Sequence, residues 1–277
     1  VLASSDKVIF NSIGQLERYE ALSRGHMRGL RVNPGISTST FDLADPARPF
    51  SRLGEHDPAK IAPICPLISG FMFHNNCENH SFERFDEMLG QIEGRFGSLI
   101  EKMQWISLGG GIHFTGPNYP LMRLAQRLKE FSEKHQVQIY LEPGEAAITQ
   151  STTLELTVLD TLNNGKNLAI VDSSVEAHML DLLIYRESAK IAPNEGAHEW
   201  MVCGKSCLAG DIFGEFHFEA PLVAGQRLSI QDAAGYTMVK KNWFNGVQMP
   251  SIAIRELDGT ERLVRSFGYD DFVSNLS

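Results

Sequence analysis

Along the first half of the chain, short apolar or β-prone runs at residues 7–10, 30–33, 70–74, 105–108 and 137–141 alternate with stretches whose apolar residues recur every three or four positions. The stretch 12–22 repeats Ile13, Leu16 and Leu22, with Tyr19 between them. The stretch 82–100 repeats Phe85, Leu89, Ile92, Phe96 and Ile100 behind Ser81 as an N-cap, and 117–135 repeats Leu121, Leu124, Leu128 and Phe131 with Pro117 near its first turn. Repeated strand–helix units of this kind predict a parallel sheet with helices outside it. Five such strands are either an open, doubly wound sheet or part of a closed barrel, which has about eight. In the barrel reading they are strands four to eight, and the first three are expected upstream of Val1.

The pattern changes near residue 150. Runs at 152–162, 167–172, 200–203, 215–220, 227–232, 251–257 and 262–267 read as short strands, with Asn163-Asn164-Gly165 and Asp258-Gly259 supplying turns. Only 178–185 reads as helical. The expected organisation is therefore a partial α/β barrel over residues 1–148 and a mostly antiparallel β domain over 149–277.

Composition narrows the classes. A chain with 43% hydrophobic and 21% charged residues builds a globular core, and a net charge of −9 argues against nucleic acid or an anionic membrane as partner while favouring a cationic ligand. No run approaches the roughly 20 apolar residues that span a bilayer, and no signal-peptide pattern opens the chain. Cys65, Cys77, Cys203 and Cys207 do not form a disulfide framework in a chain of this length and read as reduced thiols of a cytoplasmic protein.

The strand ends carry residues that a turn does not require. The second ends Arg31-Val32-Asn33-Pro34, the third His74-Asn75-Asn76-Cys77-Glu78-Asn79, the fourth Gly109-Gly110-Gly111 and the fifth Glu142-Pro143-Gly144-Glu145. In barrels the loops at the C-terminal strand ends converge on the active site. Three successive glycines let backbone N–H groups approach an anion, although a plain turn uses them too. A carboxylate at the position of Glu142 can pair with a protonated pyridine nitrogen. His74 either stacks on a cofactor ring or packs in the barrel mouth. The spacing of His74, Glu78 and His80 matches no common zinc signature, nor does that of Cys203 and Cys207, so no metal site is expected.

Together these segments resemble the fold-type-III, alanine-racemase-like pyridoxal-phosphate decarboxylases, which act on ornithine, arginine, diaminopimelate and carboxylated polyamines. The span from His74 to Cys77 resembles the family's His-x-Gly-Ser, with Cys77 in place of the phosphate-binding Ser. Ser51-Arg52-Leu53-Gly54 resembles its Ser-Lys-Phe-Gly, Gly109 to Gly111 its phosphate loop, and Glu142-Pro143-Gly144 the motif whose Glu holds the pyridine nitrogen. The segment from Cys203 to Asp211 resembles the one carrying a catalytic Cys and a substrate-binding Asp, here Cys207 and Asp211. Gly235-Tyr236-Thr237 with Phe244-Asn245-Gly246 resembles the segment whose Tyr contacts the phosphate.

The resemblance implies pyridoxal phosphate as cofactor, bound by His74, Cys77, Gly109, Gly110, Gly111, Glu142, Gly144 and Tyr236, with the glycine loop and Tyr236 lining one anion site. It implies Cys207 as the residue that reprotonates the product carbon or positions the group that does. It also implies a homodimer whose active sites are shared across the interface. Glu145 stands where many relatives have an Arg, which suits an amine-rich substrate and points to the carboxylated-polyamine branch. Glu145, Asp181 and Asp211 are the expected ammonium-binding residues, with His178 as the alternative to Asp181. The family's cofactor-bearing lysine has no counterpart here, in keeping with the expected upstream strands. Another decarboxylase of this fold, a non-catalytic regulatory homologue and a metal-dependent barrel hydrolase are the alternatives.

Overall fold

The structure is a computed structural model that describes residues 1–37, 39 and 42–276. The chain divides into two units, Val1–Ala147 and Ile148–Ser277.

In the first unit, β1 (Lys7–Phe10), β2 (Met27–Arg31), β3 (Gly70–Met72), β4 (Trp105–Ser107) and β5 (Gln138–Tyr140) form a parallel sheet in sequential order. Its register explains the sequence pattern. Phe10, Leu30, Phe71, Ile106 and Ile139 lie side by side in one row across the sheet. Because side chains alternate between faces, this row shares a face and the residues on either side of it share the other. The Phe10-to-Ile139 row packs with the apolar stripes of the helices: Phe85, Leu89, Ile92 and Phe96 from one, Leu124 and Phe131 from the other. On the opposite face Gly29, Gly70 and Trp105 stand in register, with Arg31, Met72, Ser107 and Tyr140 in the next row towards the C-terminal ends. A Cβ at Gly29 or Gly70 would run into the Trp105 indole, so the glycines make room for that ring.

The connecting helices are α1 (Ile13–Arg18), α2 (Pro58–Ile61), α3 (Phe82–Ile100), α4 (Leu121–His135) and α5 (Glu145–Ile148). Ser81 caps α3, its hydroxyl accepting from the Arg84 N–H at 3.3 Å. α1 is shorter than its apolar repeat predicts, and α4 begins at Leu121, after Pro120, rather than near Pro117. Strand β2 starts at Met27, three residues before the expected run, because Met27 and Arg28 pair with Lys7 and Val8 of β1 although their pattern is not apolar. Helix α2 was not evident from the sequence.

Between α3 and α4, Glu93 accepts hydrogen bonds from Arg127, Lys134 and His135, and Arg127 also pairs with Asp86. Burial raises the Glu93 pKa, but the three cationic or polar partners outweigh it and hold the carboxyl down at about 2. A carboxyl depressed in the fold stabilises it fully above the ordinary carboxylate range and loses that contribution as the pH falls towards the folded value. A drop from 4.5 to about 2 corresponds to about 3 kcal/mol. Glu93→Gln is therefore expected to destabilise the protein by about that amount near neutral pH, and the gap to wild type should close as the pH is lowered from about 5 towards 2. Urea unfolding across that range measures it; a gap independent of pH would assign the loss to packing instead.

In the second unit, β6 (Leu154–Asn163), β7 (Asn167–Val171), β8 (Lys190–Ile191), β9 (His198–Cys203), β10 (Ile212–Phe218) and β11 (Arg227–Gln231) form a sheet of order β10-β9-β7-β6-β11-β8, and β12 (Ile252–Arg255) pairs with β13 (Glu261–Arg265). Period-two burial of Leu154, Leu156 and Val158 faces β6 onto a core with Val171, Val202, Phe213, Phe216 and Ile230. Pairing is antiparallel except between β7 and β9, where α6 (Val175–His178), α7 (Leu180–Tyr185) and β8 fill the crossover. Strand β10 begins at Ile212 rather than near Glu215, because the register shifts at Gly214 and breaks the alternation. A further short helix is α8 (Tyr236–Lys240). Among the described residues no helix is long and apolar enough to cross a membrane.

Candidate active site

The rows that end β2 to β5 set the polar groups of the first unit. Arg31 ends β2, and Ser107, 2% exposed, ends β4 on the same face. The ladder runs on past the strands: Phe73 N–H donates to Ser107 O at 2.8 Å, Leu108 N–H to Tyr140 O at 2.9 Å and Glu142 N–H to Gly109 O at 2.8 Å. Gly109 and Glu142 are thereby fixed by backbone bonds rather than left on free loops.

Ser107 joins two of the expected residues. Its hydroxyl donates to Oε1 of Glu142 and accepts from the Gly109 N–H at 3.2 Å. The carboxylate is thus held by one oxygen, while Glu142 as a whole is exposed. Ser107 was not identified from the sequence, where the signal was a lone hydroxyl inside the otherwise apolar strand Trp105-Ile106-Ser107-Leu108.

His74 lies against the glycine loop. The Gly110 N–H donates to its Nδ1 at 3.1 Å, so the proton of the neutral ring sits on Nε2. Burial and then the nearby Arg31 charge push the His74 pKa down, with Glu142 pulling the other way, which favours that neutral ring. A Cβ at Gly109 would enter the imidazole, one at Gly110 would meet the Glu142 carbonyl oxygen, and one at Gly111 the Asn76 carbonyl. The triplet is therefore a three-way packing junction as well as a loop. Two of its amides are spent on Ser107 and His74, and those of Gly111 and Ile112 make no hydrogen bond among the described residues. Adjacent unpaired N–H groups of this kind suit an anion.

Cys77 is half-buried beside Gly111, and burial, then Glu78, raises its pKa, so it stays a neutral thiol. Gly144 is exposed, and a Cβ there would meet nothing within 4 Å. Glu145, also exposed, opens α5 and makes no ion pair among the described residues.

In the second unit, Cys207 is exposed, and its N–H donates to Asn245 Oδ1 at 3.1 Å, which ties two of the motif segments together. The two aspartates expected to hold ammonium groups already have partners within this chain. Asp211 is 3% exposed and accepts from the Val175 N–H at 2.7 Å and the Ser206 N–H at 3.0 Å, so it organises its loop. Asp181 is paired with Lys240 at 2.5 Å. The same Lys240 stands 4.6 Å from the ring of Tyr236, which is 65% exposed. His178, the alternative to Asp181, is buried with Nδ1 2.7 Å from the Ser173 hydroxyl. Burial first, then Lys205 and Lys241, push its pKa down to about 4, so it is a neutral imidazole near pH 7.

A parallel barrel-type sheet with polar groups at its C-terminal strand ends, followed by a β domain, is the architecture of the fold-type-III decarboxylases. Carboxynorspermidine decarboxylase from Campylobacter jejuni, solved in complex with norspermidine, superposes with a TM-score of 0.88 at 31% identity, over 99% of this chain and 76% of that one. No protein-family model matches the chain. A carboxynorspermidine/carboxyspermidine decarboxylase from Herminiimonas arsenicoxydans is 59% identical over all of this chain and 76% of its own length. A carboxyaminopropylagmatine decarboxylase from Synechocystis is 36% identical over all of this chain and 73% of its length. The chain belongs to the carboxynorspermidine/carboxyspermidine decarboxylase family, whose wider class depends on pyridoxal phosphate.

Proposed function

We propose that the protein decarboxylates carboxynorspermidine and carboxyspermidine to norspermidine and spermidine, with pyridoxal phosphate held at the strand ends of the first unit. The observation that carries this reading is the Ser107–Glu142 pair beside a neutral His74. The donor set fits the group: an anchored carboxylate for a pyridine nitrogen, a flat imidazole for its ring, and unpaired amides for its phosphate.

When bound, pyridoxal phosphate supplies an electron sink for the carbon that loses CO2. Glu142, steadied by Ser107, holds a proton on the pyridine nitrogen. His74 keeps its own proton on Nε2 and presents an uncharged face to the ring. Gly111 and Ile112 donate to the phosphate, with the Cys77 thiol as a neutral further donor and Tyr236 as a phosphate contact. Cys207 returns a proton to the product carbon or positions the group that does. Because Cys207 belongs to the segment that relatives share between subunits, this reading assigns it through a cytoplasmic homodimer with active sites shared across the interface.

The test is CO2 release by the holoenzyme from carboxynorspermidine, carboxyspermidine, carboxyaminopropylagmatine and diaminopimelate. We expect the first two to exceed diaminopimelate in kcat/KM by about a hundredfold or more. Preference for diaminopimelate would refute the proposal.

Glu145 is the uncommitted carboxylate of the expected substrate set and is assigned a substrate ammonium group. Glu145→Arg replaces a charge-assisted contact with repulsion, so KM for carboxynorspermidine should rise by roughly 10- to 150-fold, from the loss of about 1.5–3 kcal/mol. An unchanged KM would remove Glu145 from the substrate site.

A further inference from the structure

Asn79 and Ile112 form an isolated parallel bridge that ties the loop after β3 to the loop after β4. The Asn79 N–H donates to Gly111 O, and the His113 N–H to Asn79 O, both at 2.9 Å. The bridged residues are buried, Asn79 at 2% and Ile112 at 4% exposure. Side chains alternate along extended backbone. His80 and His113, each one residue beyond the bridged pair, therefore fall together on the outer side, and Glu78, where the backbone turns left-handed, is exposed beside them. There the rings of His80 and His113 stack with centroids 4.2 Å apart and planes within 12°. His113 Nε2 lies 2.9 Å and His80 Nε2 4.0 Å from the same oxygen, Oε2 of Glu78. One ligand atom from each of the three residues lies within 4.8 Å of the others.

We propose that Glu78, His80 and His113 bind a divalent transition-metal cation of the zinc, cobalt or nickel class. Two imidazole nitrogens and one carboxylate are a donor set for such borderline ions, whereas calcium and magnesium take oxygen. Metal–nitrogen bonds of about 2.0–2.1 Å let two donors on one ion stand up to about 4 Å apart. The His80 ring, its side chain 67% exposed, has to turn out of its stack on His113 to reach the ion, because an imidazole lone pair lies in the plane of its ring. The backbone is already committed: Glu78 holds a left-handed φ of 50°, and Asn79 is fixed by the Asn76 side chain at 2.9 Å. His113 lies on a different loop, far beyond His80 in sequence, so spacing alone does not show the cluster. A bound ion would clip together the two loops that carry Cys77 and Gly109 to Gly111.

The experiment is titration of the chelator-stripped protein with cobalt chloride alone, followed by visible d–d absorption and by Tm. One cobalt per chain with a rise in Tm is expected, and zinc should displace it. His80→Ala and Glu78→Gln should each weaken binding by about tenfold or more, with circular dichroism unchanged. The absence of a saturable one-to-one signal overturns the proposal. So does wild-type affinity in both variants, or a thiolate charge-transfer band showing that cysteine holds the ion.

Discussion

Glu142→Gln should lower kcat by about 10²- to 10³-fold, the usual cost of removing one preorganised group that meets charge in the transition state. The substitution keeps the shape and leaves an amide oxygen to accept from Ser107, whose bonds to Glu142 and Gly109 otherwise persist. What it removes is the negative charge. A neutral amide does not favour a protonated pyridine nitrogen, so the ring loses its pull on electrons while the substrate contacts elsewhere are untouched. The expected signature is a large fall in kcat with little change in KM, together with an altered pH dependence of the cofactor's absorbance. A kcat within about threefold of wild type would mean that Glu142 does not face the ring nitrogen.

Gly111→Ala should be the most damaging single methyl in the glycine loop. Gly111 has φ of +80°, and an added Cβ would run into the carbonyl of Asn76 and stand 3.0 Å from Cys77 Cα. Both obstacles are backbone, so no side chain can swing aside. The left-handed conformation costs about 1–2 kcal/mol for a residue with a Cβ, and overpacking adds about 1–3. A loss of roughly 2–5 kcal/mol is expected, with displacement of the His74–Cys77 segment and loss of bound cofactor on gel filtration. Gly90→Ala is the control: Gly90 lies within α3, and a Cβ there meets nothing within 4 Å. It should raise stability by about 0.5–1 kcal/mol. Retained stability and cofactor in Gly111→Ala would show that the junction yields more easily than its geometry implies.

The sheet of the first unit was legible because its apolar rows recur: Leu30, Phe71 and Ile106 each sit in a short run that only a buried strand explains. Boundaries were less so. Met27 and Arg28 are strand because β1 pairs with them, and Lys190 and Ile191 are strand because β11 does, neither of which is visible locally. At the site, glycine and histidine stood out by type. Ser107 did not, since one hydroxyl in a strand reads equally well as a tolerated polar residue until Glu142 is seen opposite it. The same holds for Asp211: that it accepts the N–H groups of Val175 and Ser206 is visible only once the two segments are folded together.

Trp105 spreads over Gly29 and Gly70, one row below Ser107 and Arg31. These three positions share one volume, and the route by which they can change is constrained. A side chain at 29 or 70 is harmful while the indole is present, and a smaller residue at 105 leaves a hole while the glycines remain. Neither change is tolerated first, although the combination conserves volume. Across descendants of this sequence the trio should therefore persist together or be exchanged as a set, and the floor beneath the strand-end residues should drift more slowly than the fold around it.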